Sequence, residues 1–129
     1  MDIQTEAQLT TFRGPSDRFA GMVWLDELAT NPNVDLHAYR VNFAPGGKTA
    51  WHTHERGQLL LVVSGSGYVQ KRGEPMREIH AGDVVTIGPG EEHWHGATDD
   101  KFMCHIAVQH AATDEAITWL AHVGAGAAD

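Results

Sequence analysis

Apolar and polar positions alternate between residues 35 and 47: Tyr39, Val41 and Phe43 share one side of an extended chain, and Arg40 and Asn42 the other. Residues two apart on a strand point the same way, so the pattern predicts a half-buried strand. The alternation returns in KFMCHIAVQ, residues 101–109, where Met103, His105, Ala107 and Gln109 oppose Phe102, Cys104, Ile106 and Val108. FAGMVWLDEL (19–28) reads as a strand leading to a turn at Asn31-Pro32-Asn33. Gln58 to Val63 predicts a buried strand ended by Gly65 and Gly67, and YVQKRGEPMREI predicts a hairpin around Arg72-Gly73-Glu74-Pro75. DVVTI, opened by Gly82-Asp83 and closed by Gly88-Pro89-Gly90, predicts another strand. Residues 1–20 are polar and broken at Gly14-Pro15-Ser16, as an arm would be. One helix is expected, over 113–123, with Thr113 capping it, Asp114 and Glu115 in its first turn and Gly124 ending it. Many short strands and no repeat or linker predict an all-β domain, a small barrel or jelly roll.

Composition narrows this. The 129 residues fit one domain, with an arm and strand over 1–28 and a barrel over 35–110. A hydrophobic content of 42% supplies a core, and fourteen glycines with five prolines supply the turns. The net charge of −8 argues against nucleic acid and anionic membrane surfaces as partners. No apolar run is long enough to span a membrane. The opening MDIQTEAQLT lacks the basic and apolar regions of a signal peptide, and Cys104 is the single cysteine, so a reducing cytoplasm is expected. Nine histidines is a high count, and six of them (His52, His54, His80, His93, His95 and His105) crowd between residues 50 and 106.

That crowding directs attention to TAWHTHERGQLLLVVSGSG. His52, His54 and Gln58 have one parity and face one side of an extended chain, with Leu60 and Val62. Facing into a barrel, they would bring together two imidazoles and an amide oxygen, and His93, just beyond the Gly88-Pro89-Gly90 turn, is the candidate third imidazole. A His-x-His pair alone is as often a surface pair; Gln58, the glycine turns and His93 tip the reading toward a metal site. Imidazole and amide ligands accept Mn, Fe, Co, Ni or Zn.

At these residues the chain resembles the cupin superfamily. Its first motif, G-x5-H-x-H-x3-4-E-x6-G, is matched by Gly46, His52, His54, Gln58 and Gly65. Its second, G-x5-P-x-G-x2-H-x3-N, is matched by Gly82, Gly90 and His93, with Gly88 at the proline position and Ala97 at the asparagine position. The resemblance implies a double-stranded β-helix, a jelly roll, with one divalent metal ion per chain. The departure that bears on chemistry is Gln58 in place of glutamate. Neutral ligands leave the full +2 charge on an ion, which makes it a stronger Lewis acid and disfavours chemistry through a trivalent state.

Longer strings, TAWHTHERGQLLLVVSGSGYVQ, EIHAGDVV, PGEEHWHGA and HIAVQ, are similar to small bacterial cupins, the group that includes manganese-dependent (R)-selective hydroxynitrile lyases. That resemblance implies His52, His54, Gln58 and His93 as ligands of one Mn(II), with Fe(II), Co(II), Ni(II) or Zn(II) as alternatives. It also implies Tyr39, Val41, His95, His105 and Gln109 as pocket residues.

The residues can be weighed beside it. His95 shares the parity of His93, and His105 lies with Gln109 on the polar-interrupted face of its strand, so either imidazole could carry a substrate proton, and the Gln109 amide could steady a leaving anion. Tyr39, Val41 and Phe43 would form an apolar wall for a small molecule. Trp51 and Trp94 are expected to pack the barrel; His37, His80, His110 and His122 to lie on the surface; and Cys104 to be no nucleophile. The expected function is a carbon–carbon lyase that cleaves or forms cyanohydrins. The alternatives are a dioxygenase or isomerase of a small ketone, enol or phenol, or a non-catalytic ligand-binding cupin. Sheet edges that need covering suggest a homodimer or homotetramer.

Overall fold

A computed structural model of the protein describes residues 1–29, 31–111 and 116–125. A 3-10 turn at Glu6–Gln8 precedes β1 (Thr11–Arg13), β2 (Phe19–Ala20) and β3 (Val23–Glu27). Then come β4 (His37–Phe43), β5 (Lys48–Thr49), β6 (His52–His54), β7 (Gln58–Lys71) and β8 (Arg77–His80). The described strands end with β9 (Val84–Ile87), β10 (His93–Ala97), β11 (Met103–Gln109) and β12 (Ile117–Trp119).

All the strand pairs are antiparallel, and they form two sheets that share β7. The first half of β7 pairs with β11 and β9, and β4, β3 and β1 follow outward from β11. Its second half pairs with β10 and β8, and β10 carries β5 and β6. The strand expected to stop at Gly65 therefore runs on to Lys71. Gly65 makes the crossing possible. Its φ of +79° suits glycine, and a Cβ there would overlap the Phe102 carbonyl oxygen.

Burial along β7 alternates residue by residue: Gln58, Leu60 and Val62 point in, while Leu59, Leu61 and Val63 are exposed. The apolar run is thus half-buried, with an apolar outer face that continues onto Val84. Inside, Phe43, Val62, Met103, Val23 and Leu25 form the main core under the cavity, and Leu60, Ala107 and Ile87 a smaller cluster beside it. The expected 19–28 strand is split at Gly21, whose φ is +75°.

The C-terminal expectation is corrected. Residues 112–115 lie outside the described set, and within the expected 113–123 helix the structure has strand β12, paired with β6 as Ile117↔His54, Thr118↔Thr53 and Trp119↔His52. In a strand, Ile117 and Trp119 share one face and both cover the cavity. A helix would place residues two apart on different faces and lose that cover. Long-range pairing outweighs the local helix signals.

Candidate metal centre

β6 and β10 pair at His93↔His52, which brings the two imidazoles to 4.2 Å between ring centroids. His54, one pleat along β6, lies 5.1 Å from His52 and 5.5 Å from His93 by the same measure. Gln58 opens β7 after the Gly57 turn, where φ is +82°. The Gly88-Pro89-Gly90 loop is tied to the same place by a hydrogen bond from the Gly90 N–H to the His54 carbonyl at 2.9 Å.

The hydrogen bonds fix where the lone pairs face. His52 Nδ1 lies 2.8 Å from the Ala50 carbonyl oxygen, and His93 Nδ1 lies 2.8 Å from the Glu91 carbonyl oxygen. A carbonyl only accepts, so both Nδ1 atoms carry protons and both Nε2 atoms offer lone pairs. The Gln58 amide NH2 donates to Gln109 Oε1 at 2.9 Å, which turns Gln58 Oε1 toward His93 Nε2 at 3.4 Å. Two acceptors facing each other across 3.4 Å have no proton to share. His54 Nε2 is buried without a partner. A cation satisfies this set and little else does, so the residues fit a divalent metal ion.

Electrostatics keep the donors neutral. Burial, with His93 close by, pushes the His52 pKa well below its ordinary value, against the hydrogen bond to Ala50. Burial, again helped by His93, lowers His54 to about 4, and burial lowers His93. Neutral imidazole is the form that binds a metal.

His95 is the next inward residue of β10. Ligand nitrogens of His52, His93 and His95 all lie within 4.8 Å of one another, and among the described residues these three, without His54, form the group that could hold an ion. His95 Nδ1 is 2.9 Å from His105 Nε2, and the outer nitrogens of this dyad, His95 Nε2 and His105 Nδ1, are buried without partners. Burial lowers the pKa of both, His105 to about 4.

His52, His54 and His95 floor a cavity of about 160 Å³, and His93 stands behind them without lining it. Tyr39, Val41, Gln109, His52, His54, Gln58 and His95 line it, and no aspartate or glutamate does so among the described residues. His105 stands one layer behind His95, fully buried. Phe43, expected as a pocket wall, does not reach the cavity: its ring packs 5.1 Å from His105 and 6.1 Å from His95 and backs the dyad. His37, expected on the surface, lines the cavity beside Tyr39. Trp51 and Trp94 are buried as expected, and Cys104 is buried with its thiol pKa raised by burial.

Sequence reasoning missed the rest of the mouth. Trp119 stacks on His52 at 4.6 Å and 26°. Ile117 lies beside it, and Phe12, Arg18, Phe19 and Leu25 come from the segment read as an arm and a strand. The Ile-x-Trp spacing of a strand was the available signal for β12; nothing in the 1–20 stretch marks Phe12 or Arg18 as lining residues.

The cupin domain model matches residues 39–109, more than half of the chain. The chain belongs to the cupin family. It is 44% identical over 124 residues to an (R)-mandelonitrile lyase of Granulicella tundricola, covering 95% of each chain. A cupin-like protein of Thermotoga maritima of known crystal structure is 40% identical and superimposes with a TM-score of 0.80, covering 88% of this chain and 86% of the other. A cupin of Rhodospirillum rubrum has a TM-score of 0.76 at 16% identity over 93% of this chain and 80% of its own, a likeness of fold alone. In this cupin, three buried histidines stand where a metal ion could be held.

Proposed function

We propose that this cupin is a metal-dependent hydroxynitrile lyase that cleaves (R)-cyanohydrins of aromatic aldehydes to aldehyde and cyanide, and forms them in reverse. The observation that carries this reading is an apolar cavity without a lining carboxylate, set directly on a neutral His/Gln donor set, in a chain 44% identical along its length to an (R)-mandelonitrile lyase. His52, His54, Gln58 and His93 would hold the ion, Mn(II) first among the candidates. When bound, it supplies Lewis acidity toward the substrate oxygen, which lowers the pKa of a cyanohydrin hydroxyl.

The remaining steps belong to the protein. With the dyad hydrogen on His95 Nδ1, His95 Nε2 presents a lone pair and takes the hydroxyl proton. The Nδ1 proton can then pass to His105 Nε2, so that the dyad holds the added proton together. His105 acts through His95 and is a positioning residue. The C–C bond breaks, its electron pair leaves on cyanide, and the dyad returns the proton as hydrogen cyanide departs. Gln109 has its oxygen engaged by Gln58, which leaves its NH2 to donate to the departing anion. Tyr39, Val41 and Trp119 hold the aryl group and bias one face of the aldehyde. Burial of the histidine floor keeps bulk water from competing.

The test is to load the protein with Mn(II), mix it with benzaldehyde and cyanide at mildly acidic pH, and measure rate and enantiomeric excess. An excess of (R)-mandelonitrile above the uncatalysed rate is expected. Racemic product at the background rate from protein shown to contain metal would overturn the reading. Oxygen uptake with bound Fe(II) would favour the dioxygenase alternative.

A further inference from the structure

One residue of the cavity does not suit a purely apolar aryl group. Arg18, half-buried, lines it and is the permanent cation among its lining residues. Its guanidinium lies over the Trp119 ring at 5.5 Å, and the same indole stacks on His52 at 4.6 Å. Among the described residues no carboxylate pairs with Arg18. The cation is held in place by an aromatic face rather than neutralised by an acid, and its five N–H donors remain for another acceptor.

The neighbourhood agrees. Tyr39 lines the same wall, and its phenol pKa is raised by burial and by Glu27, while Arg18 pulls it down, so the Arg18 charge is felt inside the cavity. Arg18 and the histidines His52, His54 and His95 line the same cavity, and Trp119 touches both the guanidinium and the His52 ring. A molecule bound at the histidines therefore shares its cavity with a cation that a second, anionic group could meet.

We infer that Arg18, set on Trp119, is an anion subsite at the mouth of the cavity, and that the substrates this pocket favours are flat aldehydes or cyanohydrins bearing a carboxylate at the end remote from the reacting carbon. The substrate half of this inference rests on the lyase reading; the subsite itself does not. A guanidinium donates to a carboxylate in a paired, planar fashion, and in a half-buried mouth such charge-assisted bonds exceed those of an exposed pair. The aldehyde end then meets the floor in a single orientation.

Two aldehydes of similar length separate the possibilities: 4-formylbenzoate, which carries the charge, and 4-methylbenzaldehyde, which does not. Binding of each to the metal-loaded protein is measured by calorimetry without cyanide, for the natural sequence, Arg18→Met and Arg18→Lys. The natural protein is expected to favour 4-formylbenzoate by about tenfold. Arg18→Met should bring the ratio to about one, and Arg18→Lys should keep part of it. Equal affinities in the natural protein would overturn the subsite. So would a preference that survives in Arg18→Met, since the carboxylate would then be held elsewhere, for instance on the metal. Adding cyanide distinguishes the two readings. Arg18-dependent binding without turnover of either aldehyde removes the lyase and leaves the subsite. Turnover of both aldehydes without an Arg18-dependent preference removes the subsite and leaves the lyase.

Discussion

Strands β6 and β12 lie side by side over the same cavity and contribute opposite things to it. β6 carries His52, whose Nδ1 is tied to the Ala50 carbonyl so that Nε2 offers a lone pair, and His54, whose Nε2 is buried without a partner. β12 carries Ile117 and Trp119, directly across from those histidines, and these two side chains bring no lone pair for an ion. One strand provides a place for charge, and the other covers it with carbon. Ion binding and substrate selection are therefore separable by mutation, though the two strands share one ladder.

The largest effect should come from the donor side. His52→Ala or His93→Ala is expected to weaken metal binding by more than about a hundredfold, and activity should fall to background with it. Elemental analysis after dialysis checks this, and full occupancy in both variants would dissolve the contrast. Next is His105, which stands on β11 behind His95. His105→Leu should lower kcat by about a hundredfold at unchanged metal content, and His105→Gln, which can still bond His95 Nδ1, should recover part of the loss. No difference between the two would make His105 merely a core residue.

Breaking the carbon side should look different. Trp119→Ala is expected to keep the metal, raise KM for benzaldehyde by about tenfold and erode enantiomeric excess, measured by chiral chromatography. Metal loss in this variant would mean that the stack on His52 holds the donors in place. A subtler change sharpens the donor side. Gln58→Glu should retain the ion and slow turnover by roughly tenfold, because the added charge weakens the ion as a Lewis acid.

Acid provides a further test, read in stability rather than turnover, and the buried histidines contribute to it. His54 and His105 are held at about 4 in the folded protein, below the 6.5 of a free imidazole. Between those values the unfolded chain binds protons that the folded chain refuses. Stability of the metal-free protein is thus full above pH 6.5 and lost as pH falls toward 4, by up to about 3 kcal/mol per group. Denaturant melts across that range should show the decline, and His105→Leu should flatten part of it.

The donor strand was legible and the covering strand was not, for physical reasons. His52, His54, Gln58 and His93 carry polar side chains at a spacing with few other uses, so their convergence on one cavity could be expected from the sequence, whereas the place of His95 within ligand reach of His52 and His93 could not. Ile117 and Trp119 are ordinary apolar residues, preceded by Thr113, Asp114 and Glu115, which satisfy every local rule for a helix start. What makes them a strand is the edge of β6, and nothing near them in the chain announces that edge. β7 shows the same limit. It was visible as a strand, but an unbroken apolar run hid its half-buried alternation, and a crossing between two sheets at Gly65 depends on the distant Phe102 carbonyl. Phe43 was placed on the correct face and one layer too shallow, because parity gives direction and not depth.

The covering strand is also the last of the described strands in chain order. A chain made from its N-terminus displays His52, His54, Gln58 and then His93 before Trp119 exists to lie over them. An ion bound at that stage would meet an open barrel, and pairing of β12 with β6 would then narrow the way to it. β12 is only three residues long, so fraying at that edge would widen the path again. Exchange of such an ion would then be faster in a variant that weakens the β12–β6 ladder than in the natural protein.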